Sequence, residues 1–173
     1  MGPKPPYLFT SRLRLGTIQE ADKTAMLRIF QNEAICKTYM IPQFQTREDT
    51  LRLFHRLQEL SLSDDHVVYG IYMQDRLIGF LNDVETVEDT IEMGYVIHPD
   101  YQNNGYATEA FSAVIQVLFS MGYTTVKAGA FAENMSSIRV MEKCGMKRTA
   151  LEETLVYRGI TRHCIYYEIL STL

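Results

Sequence analysis

Along the chain the hydrophobic pattern changes period once in a telling place. Ile91-Glu92-Met93-Gly94-Tyr95-Val96-Ile97 alternates as a strand does. Farther on, Phe111, Val114, Ile115 and Leu118 recur at helical spacing, with Gly122 as the residue that ends the helix. Between them lie His98-Pro99-Asp100-Tyr101 and Gln102-Asn103-Asn104-Gly105-Tyr106-Ala107. The stretch predicts strand, glycine-bearing turn and helix, in that order.

Upstream, Ser11–Leu15 alternates and predicts a first strand. Thr17 is a helix cap ahead of Glu20-Ala21-Asp22, with Ala25, Ile29 and Phe30 on the apolar face. Ile41-Pro42-Gln43-Phe44 breaks that pattern. Thr46, with Asp49 in the third helical position, opens a second helix with Leu53, Leu57 and Leu60 inward. The β-rich runs 66–73 and 76–81 flank Gln74-Asp75 as a hairpin, and 85–90 turns into the central strand. Downstream come a strand at 124–130, a helix capped by Asn134 and stopped by Gly145, and a closing hairpin, Lys147–Tyr157 with Arg162–Leu170.

This order of elements gives an α/β (α+β) chain with a mixed central sheet of about seven strands, one connection being a strand–helix–strand crossover between parallel neighbours. With no linker, repeat or low-complexity tract, residues 1–173 read as a single domain, and 1–10, with prolines at 3, 5 and 6, as a flexible leader. A net charge of −4 gives no sign of a nucleic-acid surface, and no apolar run is long enough to span a bilayer. The leader lacks the apolar middle of a signal peptide. Cys36, Cys144 and Cys164 are widely spaced without metal-ligand pattern, which suggests reduced thiols, a cytoplasmic setting and no metal.

The chemistry centres on the glycine turn. Unpaired N–H groups and the positive end of the helix dipole at a helix N-terminus favour an anionic group. Gly105 lets backbone approach a ligand, and Ala107 leaves the first turn uncrowded. A Rossmann fingerprint needs three glycines and a Walker loop needs a lysine; neither is present. Glu92, on the same strand face as Gly94 and Val96, is the nearest carboxylate able to act as a base, with Asp83 and Glu85 as alternatives.

Gln102-Asn103-Asn104-Gly105-Tyr106-Ala107 resembles the acyl-CoA pyrophosphate motif of the GNAT N-acetyltransferases, Gln/Arg-x-x-Gly-x-Gly/Ala. Asn134-x-x-Ser137 with Glu142-Lys143-Cys144-Gly145-Met146 is similar to that family's second segment, and the element order matches across nearly the whole chain. With Leu13-Arg14-Leu15, these look most like the branch of ribosomal-protein-alanine N-acetyltransferases and their relatives. The resemblance implies the GNAT fold, with helices on both faces of the sheet. It also implies acetyl-CoA as co-substrate and direct transfer of the acetyl group to a primary amine, either a protein N-terminus or a small molecule.

For the cofactor the resemblance implies backbone contacts over Asn103, Asn104, Gly105, Tyr106, Ala107 and Thr108, with Gln102 opening the motif and Asn134 nearby. Val96 and Ile97 sit where the family splays its central strand and offers N–H groups to pantetheine and thioester. Glu92 would take the amine proton, and Ser137 would protonate the thiolate. The family often carries a tyrosine for that last task where this chain has Met141. That departure leaves open a non-catalytic acyl-CoA-binding or sensing domain, and a nucleotide-binding α/β protein is a third reading. Tyr157, Tyr166 and Tyr167 read as strand packing that could line the site. Monomer and homodimer both remain open.

Overall fold

The computed structural model describes residues 1–172. Eight strands form one sheet: β1 (Tyr7–Phe9), β2 (Arg14–Gly16), β3 (Tyr69–Met73), β4 (Arg76–Val87), β5 (Thr90–Ile97), β6 (Thr125–Phe131), β7 (Lys147–Tyr157) and β8 (Ile160–Leu170). Their order is β1-β2-β3-β4-β5-β6-β8-β7. Only β5 and β6 pair in parallel. Their crossover is α4 (Tyr106–Met121), ended by Gly122 at φ 104°.

Helices cover both faces. α4 and α5 (Met135–Lys143) lie on one, where the odd-numbered residues of β5 meet Phe111, Val114, Ile115, Ile138 and Met141. α1 (Lys23–Phe30), α2 (Glu33–Thr38) and α3 (Arg47–Leu62) lie on the other, where Phe30, Phe54 and Leu57 meet Phe80 and Val96. Three helices therefore stand between β2 and β3 where two were expected; α2, of six residues with only Ile35 and Cys36 buried, is too short to show a period. α3 begins with the anticipated capping box, Thr46 accepting from the Asp49 N–H at 3.1 Å while Asp49 accepts from the Thr46 N–H at 2.9 Å.

Residues 1–10 depart from the expected leader. β1 pairs with β2, and the prolines before it lack N–H donors but still offer carbonyls. Tyr69 donates to the Pro5 carbonyl at 2.5 Å, Lys4 Nζ to the Ser61 carbonyl at 2.9 Å, and the Gly2 N–H to the Met121 carbonyl at 2.6 Å. Lys4 is 7% exposed, its aliphatic stem laid against the protein and its ammonium over the Tyr69 ring. The extra strand β1 also accounts for eight strands instead of seven.

Candidate active site

The site begins where β5 parts from β6. Their pairing covers Thr90, Ile91 and Glu92 and then stops, while β4 accompanies β5 all the way to Ile97. Tyr95 through Ile97 therefore edge a gap in the middle of the sheet. His98 donates its N–H to the Ile78 carbonyl at 2.8 Å, so ladder alternation points the Val96 N–H at β4 and those of Tyr95 and Ile97 into the gap. Val96 thus has its N–H in the sheet and its side chain in the core, 6% exposed. Only Ile97 of that pair offers its N–H. The Ile97 carbonyl accepts from Gln102 Nε2 at 2.8 Å, so Gln102 ties the turn back to the gap.

Beyond Gln102 the chain turns through Asn103 (φ 62°) and Gly105 (φ 80°) into α4. Asn104 closes the turn from within, its Nδ2 donating to the Gln102 carbonyl at 2.9 Å. Gly105, as the residue before the helix, has no side chain to cap it. Among the described residues no protein group accepts from the N–H of Tyr106, Ala107 or Thr108. α3 and α5 differ, since Thr46 and Asn134 fill that place there. An open, dipole-positive helix end on a left-handed glycine is chemistry suited to a phosphate.

Residues 12–147 match the family described as acetyltransferase (GNAT) domain. This chain belongs to the GNAT acetyltransferase family. It is similar to the uncharacterized N-acetyltransferase YoaA of Bacillus subtilis, 27% identical over 161 residues that cover 90% of this chain and 91% of that protein. Among solved structures, a GNAT-family acetyltransferase from Bacillus anthracis superposes with TM-score 0.82 at 25% identity, covering 95% of this chain and 98% of that one. RimL, a ribosomal L7/L12 alpha-N-protein acetyltransferase solved with coenzyme A, shares the fold at TM-score 0.80 and 16% identity, covering 93% of this chain and 95% of that one.

In this GNAT chain the expected acid and base flank the gap from opposite faces. Glu92 is the last residue of β5 to pair with β6, facing Lys127, with Glu85 across on β4. Burial, then the carboxylates of Glu85 and Glu153, push its pKa up, and Lys127 opposes them. Asp83 is spent elsewhere, accepting from the Val67 N–H at 3.1 Å and lying 2.8 Å from His66 Nδ1. Ser137 stands on the α4–α5 face, in the first turn of α5. Asn134 caps that helix, its Oδ1 accepting from the Ser137 N–H at 3.2 Å, while its Nδ2 reaches the Thr38 carbonyl at 3.5 Å. Met141 is fully buried in the core and carries no proton to give.

Several residues at the site were missed from sequence. Arg12 lies beside the turn: a Cβ on Gly105 would stand 3.5 Å from its guanidinium. It stacks over the Tyr106 ring and pairs with Glu109 at 2.7 Å. Tyr39 lies over Gly94 on the Glu92 face, hydrogen-bonded to Asn82, and burial raises its pKa. Tyr157, already singled out in the closing hairpin, holds this stretch: its hydroxyl receives the Ile41 N–H at 3.2 Å and lies 3.1 Å from the Tyr39 carbonyl. Tyr95 reaches Ser137, its Oη 2.8 Å from Oγ. No local spacing links positions 12 and 105, or 95 and 137, so only the fold could bring them together. Tyr167 is core, as packing required, whereas Tyr166 donates to Glu153 at 2.9 Å.

Proposed function

We propose that the chain moves the acetyl group of acetyl-CoA directly to a primary amine, with the thioester lying across the β5–β6 gap. The observation that carries this reading is the gap itself: it has a free N–H at Ile97, an open helix end beside it, a carboxylate on one face and a hydroxyl on the other. Backbone N–H groups of the Asn103–Thr108 turn hold the diphosphate, and the Arg12 guanidinium, bridged to Glu109, lies beside that turn. The Ile97 N–H faces the thioester carbonyl, where one such donor is worth about 3 kcal/mol in other enzymes.

The amine approaches on the face of Glu92, Gly94 and Tyr39. A free α-amine has a pKa of about 8, so a weak base suffices, and Glu92, raised by burial and its neighbours, is placed to take the proton. The leaving thiolate is on the Ser137 side. Past Tyr39 the surface opens into a cavity of about 530 Å³, lined by Phe30, Phe44 and Arg47, and a second of about 320 Å³ lined by Met40 and Tyr157; both share Gln43 and Arg158. An open depression of this kind suits an extended chain, so a protein N-terminus is the favoured acceptor over a small amine.

The test is incubation with acetyl-CoA and a panel of free-amine peptides, polyamines and amino sugars, following released thiol. Release with peptides is expected. Stabilisation by CoA without thiol release on any amine would mark a binding module instead.

A further inference from the structure

We infer that Tyr95 is a positioning residue that sets the direction of the Ser137 proton. The inference rests on the proposed role of Ser137 toward the CoA sulfur. Tyr95 leaves β5 at the edge of the gap, on the α4–α5 face, and its ring packs on Phe111 of α4 with centroids 4.8 Å apart. Its Oη lies between two acceptors of one residue: Ser137 Oγ at 2.8 Å and the Ser137 carbonyl at 3.0 Å.

Tyr95 has one proton, so two arrangements are available. If the phenol donates to the carbonyl, the Ser137 O–H turns toward Tyr95 and only lone pairs are left for a ligand. If the phenol donates to Oγ, the Ser137 O–H is released to point elsewhere. The Ser137 carbonyl already has the Met141 N–H as its helical partner, one turn on in α5. The second arrangement therefore leaves no carbonyl unpaired. A thiolate in the gap favours it further, because only then does Ser137 donate to sulfur.

The step balances simply. As the carbon–sulfur bond breaks, its electron pair goes to sulfur; Ser137 donates a hydrogen bond to the thiolate while Tyr95 donates one to Oγ, and the proton that finally neutralises the sulfur comes from water. Tyr95 itself stays neutral: burial raises its pKa, with the Ser137 hydrogen bond acting only partly against that. The phenol missing at Met141 is thus replaced in effect by one from the facing strand.

The experiment uses CoA alone, so it needs no acceptor. The ionisation of the bound CoA thiol is followed by ultraviolet thiolate absorbance against pH in the wild type, Tyr95→Phe, Ser137→Ala and the double variant. Tyr95→Phe keeps the ring on Phe111 and removes only the hydroxyl. We expect the bound thiol to titrate higher by about one unit in Tyr95→Phe and in Ser137→Ala, with the double variant no higher than Ser137→Ala. CoA affinity, measured calorimetrically, should stay within about twofold of wild type in Tyr95→Phe. A wild-type titration in Tyr95→Phe, or additive shifts in the double variant, would overturn the inference while leaving CoA binding intact. Failure of wild-type protein to bind CoA would instead strike the proposed function, and the inference with it.

Discussion

Glu92 and Glu109 are two carboxylates whose surroundings drive them in opposite directions. Glu92 is crowded by Glu85 and Glu153, and its pKa stands above the usual value. Its neutral form then favours the fold at low pH, and that contribution is lost as the pH rises through the raised value. Glu92→Gln should therefore unfold at a higher temperature than wild type near pH 8 and lose this advantage below about pH 4, while its acetyl transfer falls and its rate loses the acidic limb. A rate profile unchanged by the substitution would remove Glu92 from the mechanism. Around Glu109, burial raises the pKa, but hydrogen bonds from Thr10, Arg12 and Ser11 outweigh it and hold the carboxyl low. That contribution is present above the ordinary pKa of about 4.3 and disappears as the pH falls through the lowered one. Glu109→Gln should cost about 1–2 kcal/mol at neutral pH by denaturant titration, the difference closing in acid. Gly105→Asp should abolish CoA binding, since it puts a side chain at φ 80° and a negative charge where the diphosphate approaches. Normal affinity in a folded Gly105→Asp protein would displace the phosphate site. Gly105 stood out as a single residue because the motif around it is local, whereas Arg12 and Tyr95 act across the fold.

Among the elements, those with a local signature were readable: the Thr46–Asp49 capping box, the Gln74-Asp75 hairpin, the Asn134 cap and the glycine after α4. Each is fixed by neighbours within a few residues. Where β5 parts from β6 was open to reading only through the family resemblance, because pairing is a property of two strands far apart in sequence, and Val96 and Ile97 look alike until β4 claims one of them. Gly79 guards that arrangement. A Cβ there would overlap the Val96 carbonyl and stand 3.1 Å from the Ile97 Cα. Gly79→Val should destabilise by about 2 kcal/mol or more, and should weaken CoA binding more than a core substitution of equal cost does. Wild-type thermal stability in Gly79→Val would show that the two strands are less tightly seated at the gap than the geometry demands.

At the scale of the molecule, the sheet is continuous from β1 to β7, and the site occupies its one parallel junction. The overall class was legible because the sequence of periods already contained the crossover through α4. The N-terminal segment was not, since six residues rich in proline have no period to read, and its partners Ser61, Tyr69 and Met121 are remote. Removal of residues 2–6 should lower the melting temperature by at least about 3 °C, where a free leader would leave it unchanged. The arrangement as a whole is tested most directly by a crystal structure with CoA bound. We expect the diphosphate within hydrogen-bond distance of backbone nitrogens between Asn103 and Thr108, and the sulfur in the gap between Ile97 and Ser137. CoA seated elsewhere, with that turn empty, would contradict it.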